Sequence, residues 1–338
     1  MTSDDPWVQI DPPSADDTIS GRRVDAKLPW RFFWARDLDR HCLLVFQHLA
    51  ESRPQIRMPQ FRGLEVTVVE PPKPGQPSML ILRLLDPSHR DIFHRLCLDI
   101  VAAAAKTATE AEAAAVFLAR TWRWHHLLRG GRDKRLSGDE QKGLLGELIV
   151  LEHHLLPVLS SRDAVTAWTG PGGAPKDFEI GHMCIEAKAR RGAATPFIAI
   201  SSEHQLDTAG LDVLYLHVVE VDSAPQPSVD AFTLADIAAR VRERIAASDP
   251  VSAIQFEALL TSRGFSWEDD YEDTRWIWGA SQIYEVGDGF PRITPACFPS
   301  GVTNVRYALS LQECIAFRVP ENSIRLKLKE TFNGDFTG

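Results

Sequence analysis

The chain has 338 residues, which exceeds the roughly 250–300 residues at which a single hydrophobic core stops growing, so we expect two domains. Hydrophobic residues make up 44% of the sequence and charged residues 25%, a balance that excludes a disordered or fibrous chain. The 46 acidic residues outnumber the 37 basic ones, and the net charge of −9 argues against a protein that coats DNA with a wholly basic surface. Any nucleic-acid site must therefore be local.

The sequence carries no membrane or secretion signal. No stretch approaches the eighteen or so apolar residues of a membrane helix, and the first residues lack the basic and apolar regions of a signal peptide. We therefore expect a cytoplasmic protein that does not associate with membranes. Its five cysteines are widely spaced and form no C-x-x-C pair, which excludes a disulfide framework or zinc knuckle and predicts buried, reduced thiols.

The N-terminal part of the chain predicts an α+β domain. Residues 1–28 are polar and rich in turn residues, and we expect a loose arm there. Residues 29–135 begin with apolar runs of strand length and continue with two helical patterns, roughly Pro87–Lys106 and Thr109–Leu128. The four strand candidates are Phe32–Ala35, Cys42–Phe46, Leu64–Val69 and Met79–Leu84. No residue in this domain indicates a chemical role.

A second domain is predicted over residues 136–338. It begins with a helix, because Ser137 and Glu140 form a capping box and an apolar stripe then runs as far as Pro157. Strand candidates follow, then two helical patterns, and the stretch Trp276–Val319 alternates like β structure. The strand candidates are Lys176–Ile180, Met183–Arg190, Pro196–Ser201 and Leu211–Val221, and the helical patterns are Thr233–Ala247 and Ser252–Ser262.

The segment from Lys176 to Arg190 is the most informative. Side chains alternate along a strand, so Glu186 and Lys188 lie on one face, and a tight hairpin brings Asp177 across the ladder toward Glu186. Two carboxylates that face each other across neighbouring strands can bind one metal ion, and hard oxygen ligands favour Mg²⁺ or Mn²⁺.

An acid-x-Lys tripeptide alone is weak evidence, because three occur in the sequence. Asp25-x-Lys27 lies in the polar arm and Glu140-x-Lys142 at the start of a helix, whereas Glu186-x-Lys188 lies in a strand flanked by apolar residues. An ordinary surface strand with a Glu/Lys pair has the same alternation, and that interpretation remains open.

Glu147 adds a third carboxylate. It lies in or beside the apolar stripe of the predicted helix, three residues after Leu144 and four before Leu151. A buried, unpaired charge costs several kcal/mol, so we expect a metal ion or Lys188 beside it. A helical Glu that reaches solvent is the alternative.

This arrangement resembles the PD-(D/E)XK nuclease superfamily, whose core is a helix, a hairpin bearing an Asp and then a Glu-x-Lys, and a following helix and strand. The resemblance implies an α/β, restriction-endonuclease-like mixed central sheet flanked by helices. It also implies that Asp177, Glu186 and the main-chain carbonyl of Ala187 hold the ion, that Glu147 approaches it, and that Lys188 orients or activates the attacking water. Pro175 lies one residue further from the Asp than in the family pattern.

The chain as a whole is similar to a bacterial family assigned to this superfamily and found in gene clusters beside ATPases linked to phage defence. A metal-dependent DNA endonuclease of a restriction or defence system is what this implies, with an ATPase or another defence protein as partner, or a second copy in a homodimer. Gln205, where some members of the superfamily place a Gln, is a candidate for an auxiliary backbone or base contact, although a capping role is the alternative.

Basic residues near the predicted site are candidates for phosphate contacts, which position a duplex without reading its sequence. They are Arg129, Arg132, Lys134, Arg135, Lys142, Lys176, Arg190 and Arg191. A catalytically silent subunit that keeps the nuclease fold to bind DNA or a partner protein is the main alternative function. An α/β protein with a chance Glu/Lys pair is the third.

Overall fold

The computed structural model describes residues 5–14, 19–49, 63–70, 76–128, 135–224, 229–299 and 301–334, with backbone alone at 125–128 and 332–334. The chain divides into two units. The first comprises Met1–Asp133 with Ile254–Ser262, and the second comprises Lys134–Ala253 with Arg263–Gly338. No helix in the described part of the chain is long and apolar enough to cross a membrane.

The first unit is built on a five-stranded antiparallel sheet in the order β1-β2-β3-β5-β4. Its elements are β1 (Ser20–Arg23), β2 (Arg31–Arg36), β3 (Cys42–His48), β4 (Leu64–Val69), β5 (Ser78–Leu84), α1 (Arg90–Ala104) and α2 (Glu110–Leu128). The two helices contribute the apolar side chains of one core with the sheet, including Phe93 and Phe117. These strands and helices agree with the predicted ones, and β4 pairs with β5 as a hairpin.

Two described parts of the first 28 residues, Trp7 and the strand Ser20–Arg23, contribute to this unit, whereas the composition predicts a loose arm. Trp7 is fully buried, donates its indole N–H to the carbonyl of Leu43 at 2.9 Å and stacks on Phe93. Strand β1 extends the sheet by pairing with β2. One large aromatic side chain and one edge strand bury enough surface to order a segment that is otherwise polar.

The second unit contains a mixed five-stranded sheet in the order β12-β10-β9-β7-β6, in which only the β7–β9 pair is parallel. Its strands are β6 (Phe178–Ile180), β7 (Met183–Arg190), β8 (Phe197–Ile200), β9 (Val213–Ser223), β10 (Trp276–Glu285), β11 (Tyr307–Ser310) and β12 (Arg318–Val319). Its helices are α3 (Gly138–Val150), α4 (Ser161–Ala167), α5 (Leu234–Ala246) and α7 (Ser323–Gly334), and α6 (Pro250–Ser262) begins in this unit. Strands β8 and β11 form a separate two-stranded sheet.

Helix α3 begins where the sequence predicts. The Ser137 side chain accepts the backbone N–H of Glu140, and the Glu140 carboxylate accepts the N–H of Ser137. The helix continues into one π-helical turn over Leu151–Leu155, a rare form often associated with functional sites. Gly146 allows close packing of α3 on β7, since a Cβ there would lie 3.4 Å from the Cβ of Ala189.

The described cysteines are all free, as predicted. Cys42, Cys97, Cys184 and Cys314 are buried among apolar side chains. Cys297 is exposed, so the prediction of burial was wrong for this residue.

Candidate active site

The β6–β7 hairpin brings the two acids of the predicted motif to facing positions. Phe178 pairs with Ile185, and one further step along the ladder places Asp177 opposite Glu186. The backbone N–H of Ala187 donates to Oδ2 of Asp177 at 2.8 Å. Gly181 begins the two-residue turn with a φ of +58°, a conformation that glycine adopts without strain. Facing residues of an antiparallel pair share one side of the sheet, so both carboxylates lie on the same side.

A tight turn before β6 fixes the position of Asp177. The N–H groups of Thr169 and Gly170 both donate to the main-chain carbonyl of Asp177, at 2.9 and 3.0 Å. A Cβ atom at Gly170 would lie 2.9 Å from Oδ1 of Asp177, closer than real Cβ contacts. Because glycine has no Cβ, Gly170 leaves room for the Asp177 carboxylate.

Lys188 lies on the same face of β7 as Glu186. Its ammonium group is 2.7 Å from Oε1 of Glu186 and donates to Oε1 of Gln205 at 3.3 Å. That Gln205 oxygen also accepts the backbone N–H of Ser201 at 2.8 Å. The structure therefore places Gln205 against the lysine of the motif.

Glu147 projects from α3 and is only 3% exposed. Its Oε2 atom accepts the indole N–H of Trp168 at 2.8 Å, and its Oε1 atom forms an ion pair with the guanidinium of Arg263. Burial raises the pKa of Glu147, and the charge of Asp177 raises it further. The structure thus groups Glu147, Asp177, Glu186 and Lys188, the four residues that the sequence singles out.

The electrostatics of this cluster show an excess of negative charge. Burial, reinforced by the charge of Asp177, raises the pKa of both Glu147 and Glu186 to about 8. Burial also raises the pKa of Asp177, against the opposing effects of Lys188, the Ala187 N–H and Arg263. Burial lowers the pKa of Lys188, but the charges of Glu186 and Asp177 outweigh it and raise that pKa above its ordinary value. Three ionised carboxylates would face two cations.

This donor set fits a divalent cation. Glu186 is fully buried, and its Oε2 atom has no hydrogen-bond partner among the described residues. A buried carboxylate oxygen normally has a partner, and oxygen donors in an environment of excess negative charge are typical of Mg²⁺ and Mn²⁺ sites. Over the described ranges, no three His, Cys, Asp or Glu side chains are already arranged to ligate one metal ion. Asp177, Glu186 and a main-chain carbonyl are therefore the candidate ligands.

A comparison with protein-family models identified one match. Residues 3–312 match the family DUF4420, which is described as "Putative PD-(D/E)XK family member". The chain belongs to this family. No curated protein and no solved structure matched the chain. The resemblance and the mixed, helix-flanked sheet predicted from the sequence are thus confirmed, whereas the roles of individual residues stay predictions.

The basic residues predicted to contact DNA have different environments in this DUF4420 member. The guanidinium of Arg190 binds Glu220 and two main-chain carbonyls, and Lys142 pairs with Asp139 at 2.7 Å. The ammonium of Lys176 donates to the carbonyl of His204 at 3.0 Å, while Arg191 is exposed. Arg135 pairs with Asp273, and Arg129, Arg132 and Lys134 lie outside the described residues.

Three residues at the site were not identified from the sequence. Arg263 lies far along the chain from the motif, and no local pattern marks it as a neighbour of Glu147. Trp168 donates to the same carboxylate, and Gly170 provides space for Asp177. The only sequence signal was the Gly/Pro-rich loop beginning at Gly170, which separates two elements but does not indicate a contact with Asp177.

Proposed function

We propose that this protein is a metal-dependent endonuclease that hydrolyses phosphodiester bonds in DNA. The proposal rests on one observation above all. Asp177, the residue before β6, accepts the N–H of Ala187 next to Glu186, and the ammonium of Lys188 lies 2.7 Å from the Glu186 carboxylate. Membership of a PD-(D/E)XK family supports the reaction type.

Asp177, Glu186 and the main-chain carbonyl of Ala187 would hold Mg²⁺ or Mn²⁺. The bound ion would supply positive charge at the phosphate and lower the pKa of water. Lys188 stays protonated at neutral pH, because the neighbouring carboxylates raise its pKa. It therefore acts as a donor and a fixed positive charge that orients water or phosphate, rather than as a base. Gln205 limits the movement of its ammonium group.

Basic residues around the site would hold the phosphate backbone. Arg191 is exposed, and the ammonium of Lys176 donates to a main-chain carbonyl, that of His204. Phosphate contacts of this type fix the position of a duplex without selecting a sequence. Arg190 and Lys142 would have to exchange a carboxylate partner for a phosphate, so we propose weaker contributions from these two residues.

Incubation of supercoiled plasmid with the purified protein and Mg²⁺ or Mn²⁺ tests the proposal. Asp177→Asn and Lys188→Ala should each lower the nicking rate by about 10²–10³-fold, the loss typical when one stabilising group is removed from such a site. Glu179→Gln is the matched control. Glu179 is an acid of β6, two residues after Asp177, but it lies opposite Cys184 rather than Glu186. Asp177→Asn should also weaken Mn²⁺ binding measured by calorimetry.

Equal rates for the wild type and both site variants would refute the proposal by indicating a contaminating nuclease. Absence of nicking with Mn²⁺ binding and duplex binding intact would favour the catalytically silent subunit. A parallel reaction on duplex RNA of the same sequence would decide whether the substrate is DNA.

The biological setting belongs to the same proposal. The resemblance to proteins encoded beside ATPases suggests a bacterial restriction or phage-defence system, with an ATPase or another defence protein as the partner. Adding the neighbouring ATPase and ATP to the plasmid assay should raise the nicking rate. Light scattering with and without the partner would show whether the protein forms a homodimer or a mixed complex.

A further inference from the structure

The two buried glutamates of the site differ in what their oxygens contact. Oε2 of Glu186 has no hydrogen-bond partner in the described part of the chain. Both oxygens of Glu147 are engaged, one by the indole N–H of Trp168 and the other by the guanidinium of Arg263. An oxygen that already accepts a charge-assisted hydrogen bond is a poor candidate for a metal ligand. Glu147 is thus suited to a different role from Glu186.

Arg263 has the properties of a group that binds an anion at this site. Its side chain is 35% exposed, against 16% for Lys188, so solvent reaches the guanidinium. Its ion pair with Glu147 places it in the same buried cluster as Asp177, whose charge it also offsets. The ion pair with Glu147 is made by Nη2, and a guanidinium carries five N–H donors in a fork that matches phosphate.

The charge balance favours such a group. Glu147, Asp177 and Glu186 together would repel the phosphate backbone, and Lys188 already interacts with all three. Arg263, which pairs with a buried carboxylate and is itself 35% exposed, adds a second positive charge beside them and lowers that repulsion.

We propose that Arg263 binds a nucleic-acid phosphate beside the Asp177 and Glu186 pair, and that Glu147 is its positioning residue rather than a metal ligand. This inference rests on the proposed nuclease function, because it assigns a residue that binds a phosphate of the substrate. Trp168 completes the arrangement, because its indole N–H fixes the second oxygen of Glu147 and hence the direction of the ion pair.

Binding without cleavage tests the inference. A fluorescently labelled 20-base-pair duplex is titrated with protein in EDTA at several salt concentrations, and Mn²⁺ affinity is measured separately on the nucleic-acid-free protein. Arg263→Ala should weaken duplex binding by about tenfold and reduce the slope of log affinity against log salt by about 1, because one phosphate contact is lost. Its Mn²⁺ affinity should stay within about twofold of the wild type. Arg263→Lys should recover part of the affinity.

Glu147→Gln distinguishes the two roles of the glutamate. As a positioning residue it should lower duplex affinity by less than Arg263→Ala and leave Mn²⁺ affinity unchanged. Arg275→Ala is the matched control, because Arg275 has similar exposure and also pairs with an acid, Glu272, and it should bind duplex like the wild type. If Arg263→Ala does not fold, the double variant Arg263→Met with Glu147→Gln removes both charges and should show the same loss.

Some results would overturn the inference. A loss of Mn²⁺ affinity above about tenfold in Glu147→Gln, with duplex binding in EDTA unchanged, would make Glu147 a metal ligand. Wild-type duplex affinity in Arg263→Ala, or no duplex binding by the wild type, would make the ion pair purely structural. Plasmid cleavage in these cases would leave the nuclease proposal standing. Duplex binding that depends on Arg263 without any cleavage would support the inference while the nuclease proposal fails.

Discussion

The two five-stranded sheets of this chain are stabilised in different ways. Strand β3, at the centre of the first sheet, presents apolar side chains to both faces, with Leu44 and Phe46 in one cluster and Leu43 and Val45 in another. Strand β7 of the second sheet buries Glu186 completely. Because a buried charge costs free energy unless it is well paired, the second sheet is not optimised for stability alone. The difference agrees with the proposed site on the second sheet.

A second comparison lies within the second unit, between two buried glutamates. Burial raises the pKa of Glu152, but hydrogen bonds from Arg240 outweigh this effect and lower the pKa to about 2. The pKa of Glu186 is instead raised to about 8 by burial and by Asp177. Glu152 therefore has a dedicated cationic partner that holds it ionised, whereas Glu186 is the carboxylate that a bound cation would stabilise under the proposed function.

The largest effect is expected in the first unit. Trp7→Ala should destabilise that unit by about 3–5 kcal/mol, because it empties a fully buried aromatic site and removes the hydrogen bond to Leu43. Urea denaturation followed by circular dichroism measures the change. Val8→Ala, at a side chain that is 71% exposed, should change stability by less than about 0.5 kcal/mol. Similar small effects for both variants would restore the loose arm predicted from the sequence.

A pH effect of a few kcal/mol is expected from two buried histidines of the second unit. The rings of His154 and His217 lie 5.0 Å apart, and Nε2 of His217 bonds the hydroxyl of Ser281 at 2.7 Å. Burial, and then the positive charges of Arg325 and His153, lower the pKa of His154 to about 4. Burial, and then the charges of His154 and His153, lower the pKa of His217 to about 3.

The sign follows from proton binding. Between pH 6.5 and 4 the unfolded chain takes up protons that these histidines refuse in the folded protein, so their contribution to stability falls as the pH drops through this range. The slope is about 1.4 kcal/mol per pH unit for each proton. Glu147 and Glu186, whose pKa is raised to about 8, act in the opposite direction, so the effect is measured as a difference: between pH 6.5 and 4.5 the stability of the wild type should fall relative to that of His217→Asn. An unchanged slope in urea titrations at each pH would contradict the depressed pKa of His217.

An intermediate effect is expected at the turn that supports Asp177. Gly170→Ala should cost about 1–3 kcal/mol, because the added Cβ overlaps Oδ1 and Cα of Asp177. It should also weaken Mn²⁺ binding by moving the carboxylate. Gly172→Ala, two residues later and with open space around its Cβ, is the matched control. Equal melting temperatures and equal Mn²⁺ affinities for the two variants would mean that Gly170 does not limit the position of Asp177.

The smallest effect is expected at the two buried glutamates, Glu186 and Glu152, where the same substitution should change stability in opposite directions. In EDTA at pH 8, Glu186→Gln should stabilise the protein by about 1 kcal/mol, because it removes one of three crowded, buried carboxylates while Lys188 still faces the charges of Asp177 and Glu147. Glu152→Gln should destabilise it by a similar amount, because Arg240 loses its charged partner. Excess Mn²⁺ should raise the wild-type melting temperature and leave that of Glu186→Gln almost unchanged. A fall in stability for both variants would mean that Glu186 is balanced without a metal ion.

The parts of the structure that follow local rules were predictable from the sequence. The alternation of β7 and the short turn at Gly181 indicated that Glu186 and Lys188 lie on the same side of the sheet as Asp177. The capping box fixed the start of α3. Arg263 was not predictable, because its contact with Glu147 depends on how distant elements pack rather than on spacing along the chain.

The other differences have similar causes. Helix α4 has only seven residues and a weak periodic signal, and α7 lies beyond the last stretch with a clear pattern. The stretch Trp276–Val319 contains one long strand, β10, while the rest consists mainly of turns and short 3₁₀ segments. Alternation of apolar and polar residues over a few positions does not distinguish a strand from an extended loop, because the pattern is too short in both.

The hairpin between β6 and β7 also bears on how this site changes over evolutionary time. Since side chains alternate along a strand, inserting or deleting a single residue between Asp177 and Glu186 would turn one carboxylate to the opposite side of the sheet. The surrounding helices and strands would need little adjustment. A single codon gained or lost in this hairpin would thus remove one carboxylate from the proposed metal site while the architecture is kept.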